Sequence, residues 1–131
     1  MTPGLKRASV CVLCLALAAP LPALAHHSFS MFDRDKTTSI AGTVKDYSLI
    51  NPHSWVVLVA PGAEGHPVEW SLETGSPNQL RRNGWDGTTL KPGDKVTASI
   101  HPMKDGSNGG QLVSLTLADG RTLDGQRGFG R

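Results

Sequence analysis

The sequence predicts a small all-β protein, and three observations predict it. Short segments alternate apolar and polar residues at period two: Ile40, Gly42 and Val44; Val68, Trp70 and Leu72; Val96, Ala98 and Ile100; Val113, Leu115 and Leu117. Each pattern leaves one face of a strand dry. Turn signals separate these segments, among them Asn51-Pro52, Pro61-Gly62, Pro92-Gly93 and Asp119-Gly120. A single capped helical stretch, from Ser76 to Gly84, falls between the third and fourth strands. Three strands, one short helix and two strands is the order of an OB-like fold, a five-stranded Greek-key barrel. A small open β-sandwich with the same strands is the alternative.

The first strand is expected over residues 38–50, with Gly42 marking a bulge or a sharp coil. Asn51-Pro52-His53 turns the chain, Pro52 holding Asn51 extended. Trp55 to Val59 is apolar without alternation, which predicts a second strand covered on both faces. A hairpin loop over residues 61–65 follows, with His66 solvated at its edge. In the third strand Trp70 shares its face with Val68 and Leu72 and reads as core, while Glu69 and Glu73 fall on the wet face. Ser76 is the expected N-cap of the helix, Pro77 fits its first position, and Arg81 and Arg82 lie near the negative end of its dipole. Gly84 suits the left-handed position after the helix, with Trp85 folding back as the apolar contact. Leu90-Lys91-Pro92-Gly93-Asp94 reads as a type II turn. In the fourth strand Thr97, Ser99 and His101 face outward. The Asp119-Gly120 pair is a strong hairpin signal into Arg121-Thr122-Leu123.

The N-terminus has its own chemistry. Residues 1–25 read as a signal peptide: Lys6 and Arg7 lead, an apolar run from Ala8 to Ala19 follows that is too short for a membrane span, and Ala23-Leu24-Ala25 is a small-x-small cleavage site. Cleavage after Ala25 makes His26 the first residue. Its α-amine and its ring Nδ1 then close a chelate on one metal ion, a donor pair that suits Cu(II). Cleavage one residue earlier leaves Ala25-His26-His27, a different square-planar copper motif. The competing reading is an exposed terminus that binds nothing specific. The expected layout is therefore a signal (1–25), an extended lead-in (26–37) pinned by Phe29 and Phe32, the barrel (38–123) and a flexible tail (124–131).

Composition narrows the function. Both cysteines, Cys11 and Cys14, lie in the signal, and Leu13 is a poor residue before a lipidated cysteine, so no disulfide or thiolate ligand is expected afterwards. The formal charge of +2 comes entirely from Lys6 and Arg7, so the remainder is neutral and carries no long-range attraction for nucleic acid. No later apolar run is long enough to span a membrane. The expected state is a periplasmic or secreted protein.

Several short motifs, taken together, resemble a family of small secreted bacterial proteins of unknown function: His26-His27-Ser28-Phe29, Asn51-Pro52-His53-Ser54-Trp55, Gly75-Ser76-Pro77-Asn78, Gly84-Trp85, Leu90-Lys91-Pro92-Gly93-Asp94 and Asp105-Gly106-Ser107. The resemblance implies a periplasmic location and an OB-like domain, and brings no activity, substrate or catalytic residue. His26, His27 and His53 fall within the matched motifs; His66 and His101 do not.

The leading functional expectation is a binding protein that holds copper, or as second choice zinc, through His26, with His53 as the outside imidazole and His27 able to replace either. His101 and Met103 are reserve ligands, Met103 as a soft donor for Cu(I). The alternative is a metal-free module that recognises a protein, peptide or saccharide over the face bearing Thr97, Ser99 and His101. The chain has no Gly-x-Ser-x-Gly elbow, no His-Glu-x-x-His, no cysteine nucleophile and no phosphate-binding glycine loop. The reading therefore leans away from an enzyme; an oxidase or monooxygenase built on the His26 site is the remaining enzymatic option.

Overall fold

A computed structural model describes residues 31–126. The signal, His26 and His27 lie outside the described residues. Six strands form one sheet in the order β3-β2-β1-β4-β5-β6. They are β1 (Thr38–Ser48), β2 (Trp55–Pro61), β3 (Pro67–Glu73), β4 (Lys95–Pro102), β5 (Gly109–Leu117) and β6 (Thr122–Asp124). A short parallel pairing of β3 with β5 closes the first five into a mixed barrel. One helix, α1 (Pro77–Arg82), lies between β3 and β4. The observed fold is therefore the expected all-β one, a small closed five-strand barrel with one short helix between β3 and β4.

The core follows the alternation. Ile40, Val44, Val56, Leu58, Leu72, Val96, Ala98, Ile100, Leu112 and Leu115 are all buried in one cluster. The helix contributes Leu80 to this cluster, and Trp85 follows it into the core. Its cap is the expected one: the Ser76 hydroxyl accepts from the Gln79 N–H, and the Gln79 side chain returns the bond to the Ser76 N–H. Gly84 takes φ +86°, and the Trp85 N–H donates to the Leu80 carbonyl, so the chain folds back at the predicted residue. Gly93 at φ +96° and the bond from Asp94 N–H to the Lys91 carbonyl complete the expected type II turn.

Four local expectations are corrected. The bulge in β1 falls between Val44 and Asp46, not at Gly42; at Gly42 a Cβ would stand 2.9 Å from the Val59 carbonyl oxygen, so glycine there permits close strand approach. β2 is not equally covered: Val56, Leu58 and Ala60 are buried, and Trp55, Val57 and Val59 are half-buried. β5 carries an irregularity opposite Ser99 and Ile100, which brings Leu112 into the core in place of Val113. Finally, Glu73 is buried, not solvated.

The ordered chain also continues past Leu123. Asp124 belongs to β6, the Gly125 N–H donates to the Val113 carbonyl, and the Gly125 carbonyl accepts from Gly75. At the other end, the lead-in runs antiparallel to the end of β4. Phe32 bridges Met103, Asp33 N–H donates to the Pro102 carbonyl, and Lys104 N–H donates to the Met31 carbonyl. Phe32 is only 4% exposed, as expected of a pinning aromatic, yet it lies outside the main core cluster.

Candidate functional site

The site is built where the lead-in crosses the barrel wall. The β2–β3 hairpin sets Trp55 opposite Glu73. Two further bonds, Ser54 N–H to the Gly75 carbonyl and Thr74 N–H to the Ser54 carbonyl, extend that ladder towards the β1–β2 loop. This carries His53, the residue before Ser54, next to Glu73, and the His53 Nδ1–H donates to the Glu73 Oε1. The Glu73 side chain is 6% exposed and that of His53 26% exposed, so the carboxylate is buried and the imidazole reaches the surface. A carboxylate shielded this far from water needs a charged or hydrogen-bonding partner, and His53 supplies one.

Glu73 is also part of the wall of a pocket of about 180 Å³, together with Met31, Phe32, Trp55 and Met103. Met103 lies over Gly109, where a Cβ would meet its Cγ at 3.4 Å. The β4–β5 loop closes the rim with Ser107 and Asn108. That loop is tied by Asp105, whose carboxylate accepts from the Ser107 hydroxyl at 2.6 Å and the Ser107 N–H at 2.9 Å. Those bonds, the hydroxyl first, hold the Asp105 carboxyl below the usual carboxylate range. Behind the pocket, Gln111 pairs in register with Glu73 on one side and His101 on the other. Gln111 is 1% exposed, and its Nε2 has no hydrogen-bond partner among the described residues.

The expected ligands are thus distributed unevenly. His53 sits beside the pocket through Glu73, and Met103 lines it. The His101 Nδ1–H donates to the Lys36 carbonyl at 2.7 Å, so this reserve ligand straps the lead-in to β4. Among the described residues no group of three His, Cys, Asp or Glu side chains converges as a metal site, and no helix is long and apolar enough to cross a membrane. Glu73, Met31 and Trp55 are the residues that sequence patterning missed. The signal for Glu73 was present: a hairpin centred near Glu64 sets it opposite Trp55.

A second, larger groove of about 650 Å³ crosses the opposite ends of the same strands. Its lining includes Thr43, Val59, Lys95, Thr97, Thr116 and Leu117. Lys95 is held there by a 2.6 Å bond from its Nζ to the Thr43 hydroxyl.

A family model of unknown function, DUF6152, matches residues 12–112. The chain belongs to the DUF6152 family. The match runs from within the predicted signal to Leu112 on β5, so it includes His53, Trp55, Glu73 and Met103 of this DUF6152 protein. No curated protein and no solved structure matches it.

Proposed function

We propose that this chain is a periplasmic binding protein that takes up copper at its mature N-terminus. After cleavage behind Ala25, His26 offers its α-amine and ring nitrogen, His53 offers the outside imidazole, and His27 is the substitute donor. The observation that carries the reading is the His53–Glu73 pair. A histidine bound to a metal through one ring nitrogen commonly gives the other N–H to a carboxylate, which fixes the tautomer and aims the ring. With Glu73 accepting from Nδ1, the lone pair of a neutral His53 is on Nε2. Reach supports the same reading. Met31 lines the pocket that Glu73 lines, and it stands five Cα-to-Cα steps from His26 along the chain, so that the intervening residues are 27–30. Fully extended, those steps span at most about 18 Å.

The test is a Cu(II) titration of the exported protein, its first residue established by mass, beside a form carrying one extra alanine ahead of His26. One-to-one binding by the first and a loss of about tenfold or more in the second is expected when the amine is a ligand. His53→Ala should weaken binding well beyond His66→Ala. Equal affinities across these four proteins would sink the reading. In that event the metal-free alternative leads, a module recognising a protein, peptide or saccharide; of its expected face of Thr97, Ser99 and His101, Thr97 lines the 650 Å³ groove beside Thr43 and Thr116.

A further inference from the structure

We infer that the pocket beneath the lead-in is a site for a soft monovalent cation, Cu(I), held by the thioethers of Met31 and Met103 against the ring of Trp55, with Glu73 supplying the compensating charge. This inference needs neither a free amine nor His26, so it stands apart from the N-terminal Cu(II) chelate proposed above.

Four features carry it. The first is size: about 180 Å³ falls below the roughly 300–1,000 Å³ typical of organic-ligand pockets, so the space is too small for a drug-sized organic ligand and leaves room for an ion with a few waters of about 30 Å³ each. The second is donor chemistry. Two of the chain's three methionines, Met31 and Met103, line this one pocket, and the third is Met1. Thioethers are soft, uncharged donors that select Cu(I) over harder divalent ions. The third is the aromatic wall. Trp55 and Phe32 both line the pocket, and an indole face attracts a desolvated cation. The fourth is charge. Glu73 is a buried carboxylate on the same wall, and a single positive charge beside it offsets its desolvation.

Packing alone explains Phe32, which is buried against the barrel. It does not explain why a half-buried pair of methionines, a half-buried tryptophan and a buried carboxylate share one small cavity.

The experiment is an anaerobic competition titration with Cu(I) against a chromophoric chelator, repeated with Ag(I) as the air-stable probe. It uses the exported protein and its Met31→Leu, Met103→Leu and Trp55→Phe variants. Leucine nearly conserves methionine's volume, so the variants keep the packing while losing the sulfur. The wild type should bind one equivalent, and each leucine variant should bind about tenfold more weakly or worse, as expected on losing one of two soft donors. Quenching of tryptophan emission on loading should vanish in Trp55→Phe, although Trp70 and Trp85 remain. Equal Cu(I) affinity in the wild type and both leucine variants would overturn the site. The form with an extra alanine ahead of His26 separates the two copper proposals. Retained Cu(I) binding with lost Cu(II) binding supports both, and retained Cu(I) with no Cu(II) binding in either form keeps the pocket alone. Loss of both ions in the extended form assigns all binding to the terminus and overturns the pocket.

Discussion

The two sides of the barrel wall are built from different chemistry. Inside, Leu58, Leu72, Leu112, Leu115 and Ile100 are completely buried and touch other hydrocarbon. Outside, beneath the lead-in, the buried or half-buried groups are a carboxylate, an amide, two thioethers and two aromatics. The interior gains from removing apolar area from water, at roughly 25 cal/mol per Å². The exterior patch gains less, because Glu73 and Gln111 give up hydration for incomplete replacement: the His53 imidazole for the acid and no partner for the Gln111 Nε2 among the described residues. A region that buries polar groups at a cost to stability is where a binding role is to be sought, and a hydrocarbon interior is where stability resides.

The sharpest break of that contrast is on the inside. Leu112→Ala should destabilise the fold by about 2–5 kcal/mol, because neighbouring strands cannot collapse into the cavity. Urea unfolding reads this as a lower midpoint, and a change under 1 kcal/mol would mean that the core is less rigid than the packing implies. On the outside, Glu73→Gln keeps the shape and removes the charge. It should cost about 1–2 kcal/mol, the difference between a charge-assisted and a neutral hydrogen bond to His53. It should also weaken Cu(II) binding about 10–100-fold if Glu73 aims the His53 ring. Unchanged copper affinity would leave the pair as packing only.

In the helix, Ser76→Ala removes one half of the capping box and should cost about 1 kcal/mol in the same denaturant experiment. Gln111→Met, which replaces a buried amide lacking a partner for its Nε2 with a chain of similar shape, should change stability by less than about 1 kcal/mol in either direction. A large loss would show that the amide is satisfied in solution and that the exterior patch is better bonded than described.

A pH titration reads the half-buried corner at Tyr47 separately. Tyr47 is the chain's only tyrosine. Its hydroxyl donates to the Asp86 carbonyl at 3.0 Å, and its ring lies 5.9 Å from that of Trp85. Burial first, and then the Asp86 charge, push its pKa up to about 12. A raised folded-state value favours the native state below the unfolded value near 10, and that contribution is lost as pH rises from about 10 to 12. Tyrosinate absorbance should therefore appear late, together with alkaline unfolding. Tyr47→Phe should remove that part of the alkaline slope, and ionisation near pH 10 in the native protein would show the corner to be open.

What could be read without coordinates was local. Period-two alternation identified the strands because a pleated chain sends alternate side chains to opposite faces. Ser76, Pro77 and Gly84 marked the helix ends because caps are settled by a few neighbouring residues. His53 was singled out from its motif, and Met103 from its soft sulfur. The same local logic failed at Glu73, whose alternation assigned it to water. Its burial follows from a hairpin partner at Trp55, a parallel partner at Gln111 and the lead-in bridging Met103, none of them close in the chain.

The sequence by itself determined the strand pattern, the helix and its caps, the tight turns and the residue types available for chemistry, since each depends on side chains within a few positions. Only the tertiary structure decided which side of β5 faces in, that Glu73 meets His53, and that Met31, Trp55 and Met103 share a pocket. Those outcomes depend on barrel closure and strand register. A shift of one residue exchanges the two faces of a strand, and pairings between distant segments, not the local pattern, select the register.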